Sequence, residues 1–287
     1  MRLQIAEWPV EVDCPDEAVD YLPNWLPFLA PRAAAGAVPA LCRVETGCTL
    51  PAEDAGPTLV NCLDERILRV WLFPDHCSVQ LTLHSSGCSY MLRADRNWRR
   101  VCTDWVPAGA ASYAALDVFL TIAFIYTSAF HHTILMHASS VVCHDAGCAF
   151  IGVSGVGKST HARLWLEHIP GTRLLNDDQP VFRCMPDGSV RVYGSPWSGK
   201  TPCYRNEGVA LKALFFMQQA KENRAVRLDG IETFYRLLES VSAIGRDAHS
   251  FAGISETLAY VAGQVPAYLL RNLPEKEAAW LSAGLVK

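Results

Sequence analysis

The chain has 287 residues, half of them hydrophobic and 19% charged, which is enough to bury one large core or two modest ones. A formal net charge of −4, with no lysine- or arginine-rich run, excludes a basic field for nucleic acid and a polybasic footprint for anionic membrane. Eleven cysteines, scattered and never spaced C-x-x-C, argue against a disulfide framework and a zinc site, and the nine histidines lack partners at ligand spacing.

The opening residues, MRLQIAEWPVEVDC, have neither the apolar core nor the small-residue cleavage site of a secretory signal, so the chain is expected in the cytoplasm. A Pro/Ala-rich, weakly periodic stretch follows at 23–42. In RILRVWLF, SVQLTLH and SYMLRAD apolar residues then recur at period two, with turn-like PDHC and SSGC between them, which predicts an antiparallel meander. Residues 1–110 are therefore expected to form an N-terminal β-rich subdomain. It groups no catalytic residue types and reads as a scaffold or docking part.

Residues 111–133 are the longest apolar run. Asp117 interrupts it, Thr121, Tyr126, Thr127 and Ser128 dilute it, and no basic cluster flanks it. The run predicts a helix that is buried or faces a second copy in a homo-oligomer, and not a membrane span.

The second domain is expected over 111–287. TILMHASSVVC is strand-like, HDAG is a turn, and CAFIGV is a short strand that delivers GVSGVGKS. The helix THARLWLEH follows and is stopped by Pro170 and Gly171. Strand, G-x-x-x-x-G-K-S and helix together are the context of a phosphate-binding loop. Gly152, Gly155 and Gly157 let the backbone turn its N–H groups onto phosphate oxygens at a helix N-terminus. Lys158 supplies a mobile positive charge, and Ser159 a hydroxyl for Mg²⁺. With Val153, Ser154, Val156 and Thr160 these residues make the expected nucleotide-binding segment.

If the HDAG turn pairs Cys143 with Cys148, His137 falls opposite Ser154, inside that loop. A histidine there would position or charge-stabilise a transferring phosphoryl group; the alternative is a hydrogen-bonded core histidine. In RLLNDDQPVF a strand ends on Asp177 and Asp178. One carboxylate suffices to hold the metal, here Asp177; the second, Asp178, would accept a proton from an incoming hydroxyl, although Asp-Asp before Gln-Pro is also ordinary turn chemistry. In VYGSPWSGKTPCYRNEG, Trp197 is placed to cover a nucleotide or substrate, and Lys200 and Arg205 to meet phosphate or carboxylate, unless this is a solvated surface loop. Alternating strands and helices through VALKALFFM, ETFYRLLESV, VPAYLLRNLP and EKEAAWLSAGL complete an α/β pattern.

The order His137, hairpin, GVSGVGKS, helix, LLNDDQPV resembles the bacterial HPr kinase/phosphorylase family and related serine kinases, which share a P-loop core with phosphoenolpyruvate carboxykinases. The resemblance spans roughly residues 130–285 and is most specific over 135–182. It implies an α/β fold with a P-loop kinase core of that type, ATP and Mg²⁺ as cofactors, functional roles for His137, Lys158 and Asp178, and Ser159 on Mg²⁺. The family's glutamate- and arginine-bearing segment after the aspartates is not matched by VYGSPWSGKTPCYRNEG. That implies a divergent relative, with another acceptor and without the reverse phosphorolysis. The expected activity is transfer of the ATP γ-phosphate to a hydroxyl of a small protein, a peptide or a serine-like metabolite. A nucleotide-dependent ATPase or switch, with Asp178 orienting water, is the alternative from another class. A carboxykinase-like lyase would further need an oxaloacetate-binding arginine site and a second metal.

Overall fold

The computed structural model describes residues 1–30, 39–63, 65–199, 201–243 and 247–286. The chain divides into two units, Met1–Phe130 with Arg246–Ser250, and His131–Gly245 with Phe251–Lys287. Each has its own sheet, and the architecture is mixed α/β.

The first unit contains β1 (Arg2–Ile5), β2 (Trp8–Val12), α1 (Ala18–Tyr21), a 3-10 helix (Pro23–Phe28), β3 (Cys42–Glu45), β4 (Leu59–Cys62), β5 (Arg66–Leu72), β6 (His76–Leu83), β7 (Ser89–Asp95), β8 (Arg100–Thr103) and α2 (Ala110–Ala129). Its strand order is β1-β2-β3-β8-β7-β6-β5-β4. The expected meander is β5, β6 and β7, antiparallel throughout. Along β6, Cys77, Val79, Leu81 and Leu83 are buried while Gln80 and Thr82 stay half-exposed, the two faces of a pleated strand. β3 pairs in parallel with both β2 and β8. Trp25 and Phe28, at the start of the Pro-rich stretch, are fully buried and belong to this core as well.

Helix α2 is long and apolar enough to cross a membrane. However, 13 of its 20 residues are buried, and it packs on β3 and β6 as a core helix does. The carboxylate of Asp117 accepts a hydrogen bond from the Trp25 indole Nε1 at 2.6 Å, so the interruption in the apolar run has a partner. This packing makes α2 part of the first unit. The boundary consequently falls at Phe130/His131, twenty residues beyond the division expected at 110.

The second unit contains β9 (Thr133–Leu135), β10 (Ala138–Cys143), β11 (Ala146–Ile151), α3 (Lys158–His168), β12 (Thr172–Asp178), β13 (Val181–Cys184), β14 (Val190–Tyr193), β15 (Gly208–Gln219), β16 (Arg224–Arg227), α4 (Gly230–Leu238), α5 (Ala248–Gln264, its first residues counted with the first unit), β17 (Ala267–Asn272) and α6 (Lys276–Ala283). The main path is β12-β10-β11-β15-β14-β13-β9, with β17 on β15 and β16 on β17. β12 runs on into β13 and β9 into β10, so the same two chain segments stand at both ends of the path and the sheet curls back on itself. Met136 N–H donates to the Pro180 carbonyl at 3.0 Å where both segments change partners.

Helix α3 lies against β10, β11, β12 and α6, with Trp165 packed among Phe150, Phe215 and Leu270. His161 faces the same core: fully buried, edge-on to Phe150, with Nε2 at 2.9 Å from Ser282 Oγ. Burial holds its pKa down at about 4. The unfolded chain takes up this proton below about pH 6.5, whereas the folded chain stays neutral there. The stability contribution is thus complete above pH 6.5 and is lost as pH falls toward 4, by about 2 kcal/mol between pH 7 and pH 5. Denaturant melts at a series of pH values check this. His161→Leu should remove that part of the acid slope, and an unchanged slope would show that His161 is not the group responsible.

Candidate active site

Three neighbouring strands end together in the second unit. β10 lies between β12 and β11 and is antiparallel to both, so its entry end meets their exit ends. The ladder pairs Ala138 with Asp178 on one side and with Ile151 on the other. His137 is one residue beyond that ladder, between the end of β12 and the loop that leaves β11. Its backbone is fixed from a third direction, since its N–H donates to the Ser240 carbonyl at 2.8 Å just past α4.

The hairpin is tighter than HDAG suggested. Cys143 pairs with Ala146 and Cys148 with Val141, leaving His144 and Asp145 as a two-residue turn, with His144 at φ 53°. Continuing the ladder puts His137 opposite Gly152, two residues from the expected Ser154. A shift of two residues keeps every side chain on its own face of the sheet, so His137 still points where the loop is.

That loop, residues 152–157, links β11 to α3 with all three glycines at positive φ. At Gly152 (φ 153°) a Cβ would press on Val156 Cγ1 at 3.0 Å, and Gly157 (φ 112°) is the N-cap of α3. No side chain caps this helix, and its first N–H groups, at Lys158, Ser159 and Thr160, have no intrahelical acceptor by geometry. They present partial positive charge at the loop mouth, where an anion is stabilised.

Lys158 is nearly buried and folds back over the loop. Its Nζ donates to Gly152 O at 2.8 Å, Val153 O at 3.2 Å and His137 Nε2 at 2.9 Å, which uses all three ammonium protons. Because Nε2 accepts from an ammonium, the proton of a neutral imidazole sits on Nδ1, and Nδ1 lies 2.9 Å from Asp178 Oδ1. A continuous chain Lys158–His137–Asp178 results. Burial lowers the Lys158 pKa below the ordinary lysine range, and the carboxylates of Asp178 and Asp177 oppose that shift. Asp178 carries a backbone φ of 133°, sparsely populated for any residue with a Cβ.

The other carboxylate points differently. Asp177 is almost fully buried, and its Oδ1 accepts from Ser159 Oγ at 2.7 Å. Neighbouring oxygens around an octahedral Mg²⁺ lie about 3 Å apart, so this pair has the spacing and chemistry of two ligands of one such ion. The uncapped N–H groups and the glycine cradle likewise fit a phosphate. The four residues His137, Lys158, Asp178 and Ser159 are brought together with Asp177.

Trp197 is buried, with its carbonyl accepting from Asn176 Nδ2 at 2.8 Å. Arg205 is exposed beside Cys203, whose Sγ donates to the carbonyls of Leu174 and Leu175, upstream of the aspartates on β12. Lys200 lies outside the described residues. The sequence reading missed Asn176, which is fully buried and donates to Ser195 Oγ and Trp197 O while its Oδ1 accepts from Gln179 N–H. It ties the strand carrying both aspartates to the next loop; its only sequence signal is its place before the Asp-Asp pair. No protein-family model matches the chain, and no curated protein matches it.

Proposed function

We propose that the chain is an ATP- and Mg²⁺-dependent kinase that transfers the γ-phosphoryl group to a hydroxyl, on a serine of a small protein or peptide or on a serine-like metabolite. The observation that carries this reading is the Lys158–His137–Asp178 chain at the mouth of a glycine-rich strand–loop–helix. The same order of parts supports a P-loop kinase core related to that of the HPr kinase-like serine kinases, as a divergent member.

In this reading the loop N–H groups bind the phosphates, joined by Lys158 once its ammonium exchanges a loop carbonyl for a phosphate oxygen, and Ser159 and Asp177 would hold Mg²⁺, which would neutralise charge on the transferring group. Asp178 takes the proton of the acceptor hydroxyl on the carboxylate oxygen that His137 leaves open. The hydroxyl oxygen bonds to the γ-phosphorus as the bond to the bridging oxygen breaks, and ADP leaves. His137, pinned between Lys158 and Asp178, sets the orientation of both.

Calorimetry of ATP binding with Mg²⁺ tests the foundation. Lys158→Ala should weaken ATP by tenfold or more, about 1.4 kcal/mol. Equal affinity in both proteins, or no binding by either, would overturn the reading.

A further inference from the structure

We propose that Glu45, Cys48 and Cys102, in the first unit, form a binding site for a thiophilic divalent cation, with zinc the ion that this ligand set fits. The ligand atoms of the three residues all lie within 4.8 Å of one another, and Cys102 Sγ is 3.8 Å from Glu45 Oε2. Two ligands of a tetrahedral zinc, at about 2.3 Å for sulfur and about 2.0–2.2 Å for oxygen, are themselves separated by roughly 3.5–3.8 Å. The group is therefore within a small side-chain adjustment of coordination.

The backbone holds the three residues together without help from an ion. β3 and β8 are parallel neighbours, and their register places Glu45 opposite Cys102. Beyond β3 the chain turns at Gly47 (φ 69°), and the N–H groups of Gly47 and Cys48 donate to the carbonyls of Trp105 and Thr103, both at 2.9 Å. These bonds bring Cys48 alongside the end of β8. Arg43 Nε sits 3.7 Å from Glu45 Oε1, which leaves Oε2 as the oxygen facing Cys102, an outer partner orienting a ligand.

The donor set selects the metal class. Two thiols and one carboxylate suit zinc, whereas Mg²⁺ and Ca²⁺ take oxygen ligands. All three residues are half-buried, so a solvent molecule has access to the fourth position. A thiol must lose its proton to become a ligand, so binding near neutral pH must release protons. Cys48 and Cys102 are too distant in sequence for any spacing motif, which is why the linear pattern argued against a zinc site.

The test uses the full chain, kept reduced with a phosphine, stripped with chelator and titrated with Co²⁺ and then Zn²⁺. The expected result is a near-ultraviolet thiolate-to-cobalt absorption that saturates at one equivalent, is erased by Zn²⁺ and is accompanied by proton release. It should fall by about half in Cys48→Ser or Cys102→Ser, one thiolate of two, and vanish in the double variant. Replacing the exposed Cys62 and Cys88 by serine should leave it intact. Glu45→Gln removes no thiol and should keep the absorption while weakening Zn²⁺ at least tenfold, with the zinc-induced rise in Tm reduced accordingly. That variant decides the matter if the cysteine variants do not fold. A wild-type protein without the absorption, or one whose absorption and Zn²⁺ affinity survive these changes, overturns the proposal.

Discussion

Asp178→Asn is expected to lower phosphoryl transfer by about 10³-fold while ATP and Mg²⁺ still bind, within the range typical of a lost proton-transfer group. Asparagine has the same shape, its Oδ1 still accepts from His137 Nδ1, and at φ 133° its backbone is no more strained than that of the aspartate it replaces. What it lacks is an oxygen able to take a proton near neutral pH. Asp177→Asn should behave differently. Its carboxylate is buried against Ser159 Oγ and does not face His137, so its loss should raise the Mg²⁺ requirement first. Transfer of labelled γ-phosphate to free serine, serine peptides and small carrier proteins, with Mg²⁺ titrations for both variants, measures this contrast. Wild-type transfer by Asp178→Asn at saturating Mg²⁺ would remove the general-base role. Robust ATP hydrolysis without any acceptor, lost in Asp178→Asn, would replace the kinase by the ATPase or switch.

The parts legible in the sequence are those whose cause is local. The β5–β7 meander follows from period-two burial, and the strand, loop and helix from 146 to 168 follow from glycine placement and an apolar run of strand length. The two aspartates at the end of β12 were legible because Gln-Pro marks the end of that strand. Non-local pairing was not legible. Nothing near Cys42–Glu45 announces parallel neighbours on both sides, and nothing near 110–129 says that the helix packs backward onto the first sheet. α5 has a different reason: Gly253 and Gly263 lie inside it and small polar residues interrupt its apolar spacing, so no clear helical period forms. The hairpin slipped by two residues because His144 occupies a left-handed position usually signalled by asparagine or glycine. Within the site, side-chain identities were readable, but the partners that fix them were largely main-chain groups. Gly152 O and Val153 O on Lys158, and Ser240 O on His137, have no residue signature.

His137→Ala should leave the fold and ATP affinity close to wild type and lower transfer by about a hundredfold, the scale of a lost acid–base or charge-stabilising group. The imidazole side chain is 38% exposed, so removing it empties little of the core, and its backbone anchor to Ser240 remains. What disappears is the link between Lys158 and Asp178. Without Nε2 as an acceptor the Lys158 ammonium loses one of three partners, and without Nδ1–H the Asp178 carboxylate loses the donor that orients it. His137→Gln separates two ways in which that link acts. A glutamine amide can accept and donate but cannot carry a proton between its two ends. If His137 only holds Lys158 and Asp178 in place, glutamine should recover much of the lost rate. If it must carry a proton during transfer, glutamine should be as slow as alanine. A lowered Tm with normal specific activity in His137→Ala would make His137 a packing residue, and the chain from Lys158 to Asp178 would then be a structural contact with no part in the reaction.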